Sequence, residues 1–136
     1  ISVDASVTQK VGFTLAFWMQ AFDNGVIFNE SVNDAYFSVY REDDLFVEFS
    51  DGLNVTSVSF GVDTEWKHVA VVYHPGDGLD LYIDAVLVAS NSTLVDPFIS
   101  EQRIIGSLNV LLDDMYIWQR QIDLNEIKSM YYRALQ

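Results

Sequence analysis

The chain has 136 residues, half of them apolar and 14% aromatic, with 7 basic against 20 acidic side chains and a net charge of −13. That length fits one domain able to bury roughly two thirds of its unfolded surface, and such aromatic content excludes a disordered chain. A surface this acidic repels phosphate backbones and anionic lipid, which excludes nucleic acid as a partner. It either attracts calcium or basic protein or simply keeps the chain soluble.

In chain order, period-two alternation dominates. In "FTLAFWMQ", Phe13, Leu15, Phe17 and Met19 face one way and Thr14, Ala16, Trp18 and Gln20 the other. "LFVEFS" puts Leu45, Val47 and Phe49 on one face, and "KHVAVVYH" does the same with Val69, Val71 and Tyr73. "LDLYID" turns Leu79, Leu81 and Ile83 inward and Asp80, Tyr82 and Asp84 outward. Half-buried antiparallel strands have this pattern. Turn signals separate them: Asp23-Asn24-Gly25, Asn33-Asp34, Glu42-Asp43-Asp44, Asp51-Gly52 and Pro75-Gly76-Asp77-Gly78. The spacing predicts about ten or eleven short strands, the mark of an all-β sandwich or barrel. One helix is predicted at the end. Asp123 and Glu126 have capping-box spacing, Ile122 and Ile127 stand at the staple positions, and Ile127, Met130 and Tyr131 form a stripe for core contact.

There is no cysteine, so no disulfide or thiolate chemistry. The chain begins "ISVDASV", with no charged leader, and no apolar run is long enough to insert into a bilayer. Three Asn-x-Ser/Thr sequons, at Asn29, Asn54 and Asn91, are candidate glycosylation sites and suggest an extracellular setting. The expectation is a single domain over 1–136, excised from a larger secreted or surface protein.

Catalytic chemistry finds little support. His68 and His74 lie six residues apart on one strand, roughly 20 Å between Cα atoms, so they cannot share a metal; each reads as a surface or edge polar group. No Gly-x-Ser-x-Gly or phosphate-binding glycine loop occurs. Glycoside hydrolysis needs two carboxylates across one cleft. Asp113 and Asp114 are adjacent on a strand and so are expected on opposite faces, Asp113 with Met115 and Ile117, Asp114 with Tyr116 and Trp118. The one heading into apolar company needs a partner, and the expected role is to pin a turn or edge. Calcium ligation is the alternative, with Asp43, Asp44, Asp77, Asp113 and Asp114 as candidate ligands.

Three blocks carry a resemblance. "FTLAFWMQ", "EWKHVAVVYHPGDGLDLYIDAVLVAS" and "RIIGSLNVLLDDMYIWQRQIDLNEIKSMYYRAL" resemble laminin G-like and pentraxin-like domains of the concanavalin A-like lectin/glucanase superfamily. The resemblance implies a two-sheet antiparallel jelly-roll sandwich with a short C-terminal helix, and Trp66 at the start of a central strand. It also has departures. Ala16 and Ala70 stand where pentraxins carry a cysteine pair, Glu101-Gln102-Arg103 where they carry a calcium-binding Glu-Gln-Asp, and Ala85 where a hairpin glycine is expected. The glucanase string Glu-x-Asp-x-x-Glu is absent.

The expected function is a non-enzymatic extracellular recognition or adhesion module for a protein or glycan. Its contact area is expected on loops of one rim, with Asn24, Gly25, Glu42, Asp43, Asp44 and Asp77, helped by Tyr36, Tyr40 and Tyr82. The alternatives are a ligand-free spacer, a homo-association domain or a carbohydrate-active enzyme.

Overall fold

The computed structural model describes residues 2–4, 12–74, 77–92, 102–106, 110–118 and 120–134. Among these residues eleven strands precede one helix: β1 Ser2–Asp4, β2 Phe13–Ala21, β3 Gly25–Val32, β4 Ala35–Glu42, β5 Asp44–Ser50, β6 Val55–Phe60, β7 Lys67–His74, β8 Gly78–Ile83, β9 Val86–Asn91, β10 Gln102–Ile105, β11 Val110–Trp118 and α1 Leu124–Ala134. They form a jelly-roll sandwich of two antiparallel sheets, ordered β1-β10-β3-β4-β5-β6 and β11-β2-β7-β8-β9.

The alternation read from the sequence sets the core. Phe13, Leu15, Phe17 and Met19 of β2 meet Phe37, Val39, Leu45, Val47 and Phe49 of the facing sheet, all nearly inaccessible to water. Phe49 stacks on Tyr73 with ring centroids 4.5 Å apart, and Phe13 meets Phe37 edge-on at 4.9 Å. Such interdigitated aromatics are the main hydrophobic stabilisation of a sandwich.

The β7–β8 hairpin closes at Asp77, whose N–H donates to the His74 carbonyl at 2.9 Å; Pro75 and Gly76 lie outside the described residues. Gly78 has φ +91, and a Cβ there would overlap the Asn91 carbonyl. The β8–β9 turn takes positive φ at Asp84 (51°) and Ala85 (65°), the two-residue hairpin geometry that usually selects glycine. Here the alanine methyl is buried, and Asp84 Oδ1 accepts the His68 N–H at 2.9 Å.

The second face of the five-stranded sheet is also covered. Ala16 and Ala70 are cross-strand partners, and with Val72, Ala85, Ile122 and Ile127 they form a second apolar layer under α1. Two small side chains side by side let the helix approach. The helix is capped as its sequence predicts: Glu126 N–H donates to Asp123 Oδ1 at 2.9 Å, and Ile122 and Ile127 are buried. Thr14 ties its lead-in to β2, accepting from Ile122 N–H at 3.1 Å and donating to the Arg120 carbonyl at 3.0 Å. No helix among the described residues is long and apolar enough to cross a membrane.

Candidate functional site

A cavity of about 390 Å³ opens between α1 and the outer face of the five-stranded sheet. Its walls are Trp18 on β2, His68 on β7, Asp114, Tyr116 and Trp118 on β11, and Met130 and Arg133 on α1. The volume lies in the range typical of small-molecule sites.

Each wall follows from local chemistry. Trp18 and His68 are cross-strand partners with ring centroids 5.2 Å apart, and Tyr131 of α1 stacks on Trp18 at 5.6 Å. Tyr116 and Trp118, two residues apart on β11, share the outer face at 5.5 Å, and Tyr116 is 54% exposed. His68 is 2% exposed and its Nδ1 has no hydrogen-bond partner. Burial lowers its pKa from the ordinary value, only partly opposed by the nearby Asp84 carboxylate. This corrects the expectation of a surface histidine. Trp18 on the neighbouring strand and Tyr131 of α1 cover its ring, so its position near the start of β7 does not expose it.

The Asp113–Asp114 pair behaves differently from the strict alternation. Asp113 pairs with Trp18 and Tyr116 with Ala16, so β11 holds one extra residue there. Asp114 takes φ +47, and its N–H donates to Asp113 Oδ1 at 2.9 Å. This β-bulge reverses the parity. Asp113 falls on the outer face beside Trp18 while Met115 and Ile117 pack on the core, and both aspartates are exposed. Neither enters the apolar layer. Asp113 holds the bulge, and the bulge turns Asp114 to the cavity.

The expected rim residues do not gather at one end. Asn24 and Asp43 do meet, Asp43 N–H donating to Asn24 Oδ1 at 2.7 Å, with Gly25, Glu42 and Asp44 at the adjoining strand ends. Asp77 lies at the opposite end: its hairpin adjoins Tyr73, the partner of Phe13, whereas Asn24 follows the far end of β2. Strand direction alone separates them. Among the described residues no three His, Cys, Asp or Glu side chains come close enough to hold a metal ion. Glu101 and the side chains of Gln102 and Arg103 lie outside the described residues.

The sequons also separate. Asn29 is on the outer face of the six-stranded sheet, Asn54 is exposed in the β5–β6 turn, and Asn91 ends β9 with its Nδ2 donating to the Ser57 carbonyl at 2.9 Å. None lies on the face that holds the cavity. The sequence reading missed this site because Trp18 and His68 belong to different strands and because the Met130 stripe was assigned wholly to the core. A cue was present in the shared parity of Trp18 with Ala16 and of Trp118 with Tyr116.

The family described as laminin G-3 of the concanavalin A-like lectin/glucanases superfamily matches residues 1–128. No curated protein sequence matches the chain. Among solved structures, the binding domain of botulinum neurotoxin serotype G is similar at a TM-score of 0.81 and 16% identity, over 93% of this chain and 37% of that one. The receptor-binding domain of the C/D mosaic serotype is similar at 0.80 and 14%, over 91% and 36%. A botulinum neurotoxin type C structure, described as depending on two ganglioside molecules to enter cells, is similar at 0.73 and 16%, over 95% and 37%. This chain therefore spans little more than a third of each of these neighbours.

Proposed function

The chain belongs to the concanavalin A-like lectin/glucanase superfamily, and from that premise we propose that it is a non-enzymatic extracellular recognition module that binds a glycan in the cavity beside α1. One observation carries the reading: Trp18, Tyr116 and Trp118 line a concavity whose polar groups are Asp114, Arg133 and the buried His68. Sugar rings present apolar faces for aromatic stacking and hydroxyls for such polar groups. Gangliosides, lipids that carry a glycan headgroup, are the molecules named for a protein of the same fold.

A recognition role is favoured over hydrolysis because Asp114 is the one carboxylate among the cavity's described lining residues, and hydrolysis calls for two. The three sequons support an extracellular setting, and their distance from the cavity leaves it uncovered if they carry glycans. A protein ligand, a spacer role and homo-association are the competing readings.

The test is a broad glycan array followed by titration of any hit. Tyr116→Ala and Arg133→Ala remove exposed lining groups without touching the core. Each is expected to weaken a true ligand about tenfold, the loss of one stacking or charge-assisted contact. An array without binders, or a hit that both variants bind as the parent does, overturns the reading.

A further inference from the structure

The outer face of the six-stranded sheet carries a second, unrelated arrangement. Cross-strand register places Tyr40 beside Phe46, and Asn29, Ser38 and Glu48 in one row, with Tyr36 in the next. Tyr40 O–H donates to Glu48 Oε1 at 2.8 Å, and Tyr36 O–H donates to Oε2 at 3.1 Å. Tyr40 also stacks on Phe46 at 5.3 Å, with the rings 13° from parallel. Burial and the carboxylate beside it push the Tyr40 phenol up to about 12, so it remains a donor at every physiological pH.

Glu48 is thus held from both sides in one orientation, yet no cation reaches it among the described residues. Arg41 follows Tyr40 in sequence, but its guanidinium is turned to the rim, where Nη1 donates to the Ala21 carbonyl at 2.8 Å and Nε to the Asp43 carbonyl at 3.3 Å. A carboxylate offers about four lone-pair positions, and the two phenols take one on each oxygen. Among the described residues no other group bonds to either oxygen, and a second acceptor position on each suits the paired N–H groups of a guanidinium. The stacked Tyr40 and Phe46 rings provide the adjoining aromatic surface on which a guanidinium plane packs.

We propose that this face docks an arginine of a partner protein, held between the Glu48 carboxylate and the Tyr40–Phe46 stack. The chain's net charge of −13 steers a basic segment towards it, while the pinned carboxylate distinguishes this spot from acid elsewhere on the surface. Asn29 sits in the same row, one strand beyond Ser38.

The unglycosylated full chain, made in bacteria, is titrated by calorimetry with a short glycine-serine peptide carrying two arginines, and with its citrulline analogue. The arginine peptide is expected to bind and the citrulline peptide to fail. Glu48→Gln should weaken binding about tenfold. Glu65→Gln, an equal charge change on an exposed residue outside both sheets, should change it less than about twofold. Should Glu48→Gln melt early, the double variant Tyr36→Phe and Tyr40→Phe keeps the charge but frees the carboxylate, and should still weaken binding about threefold. Equal weakening by Glu48→Gln and Glu65→Gln, binding of the citrulline peptide, or no binding at all would overturn the proposal. So would a dimer of the chain itself that Glu48→Gln dissolves, since the occupant would then be a second copy.

Discussion

His68 is the residue whose environment departs furthest from its chemistry. The ring is enclosed by Trp18 on the neighbouring strand and Tyr131 on the helix, with Asp84 behind it in the β8–β9 turn and Asp114 and Arg133 across the cavity. Burial favours the neutral ring and lowers its pKa below the ordinary 6.5. The unfolded chain therefore takes up a proton first as pH falls. The stability this gives is complete above about pH 6.5 and is lost as pH drops below it, until the folded ring protonates. Melting temperatures from pH 7.5 to 5 should fall more steeply for the parent than for His68→Phe, which has no proton to take up. Parallel curves would mean the ring is not shielded. The bulge aspartates are a second lesson at this scale. Their adjacency was plain in the sequence, but the left-handed φ of Asp114 that shifts the parity of β11 was not. It depends on how β11 registers against β2.

Among the elements, α1 is the one most fully written in local sequence and the one whose role was least apparent there. Asp123 and Glu126 announce its start, and the structure has both capping bonds, the Asp123 N–H reaching Glu126 Oε1 at 3.5 Å. Arg120 adds a bidentate pair to Glu126 at 3.0 and 2.5 Å. What the sequence does not mark is Thr14, more than a hundred positions earlier, which anchors the helix lead-in from inside β2. Thr14→Val keeps the shape but strands the Ile122 N–H in a buried place. It should cost about 1–3 kcal/mol in denaturant unfolding. It should also shift Trp18 fluorescence before the main transition, because the helix supplies the ring stacked on Trp18. A single transition with an unchanged midpoint would remove Thr14 from that role. The strands were easier to read: Leu45, Val47 and Phe49, or Leu79, Leu81 and Ile83, show their inward faces by period alone and are buried as expected.

For the whole molecule, the two sheets present different surfaces. One outer face lies under a helix and holds the aromatic cavity; the other carries the Glu48 cluster and the Asn29 sequon. The acidic turns that suggested calcium are distributed over both ends of the sandwich and the β11 bulge. A ligand that binds only the native state must raise the melting midpoint. The midpoint is therefore expected to be the same in millimolar calcium and in chelator, and a calcium-dependent rise of several degrees would assign the chain a cation site after all.

The sequence by itself determined the all-β class, the inward faces of its strands, the capped helix and the absence of thiol chemistry, because each depends on composition or on neighbours within a few residues; the two-sheet sandwich was legible only through the resemblance of its three blocks to a known family. Only the tertiary structure decided that Asp77 lies far from Asn24, that Asp113 stays out of the core, that His68 is buried, and that Trp18, Trp118 and Arg133 enclose one cavity. Those outcomes depend on which strand edges pair and where a helix lands. Alternation along a single strand has no information about either.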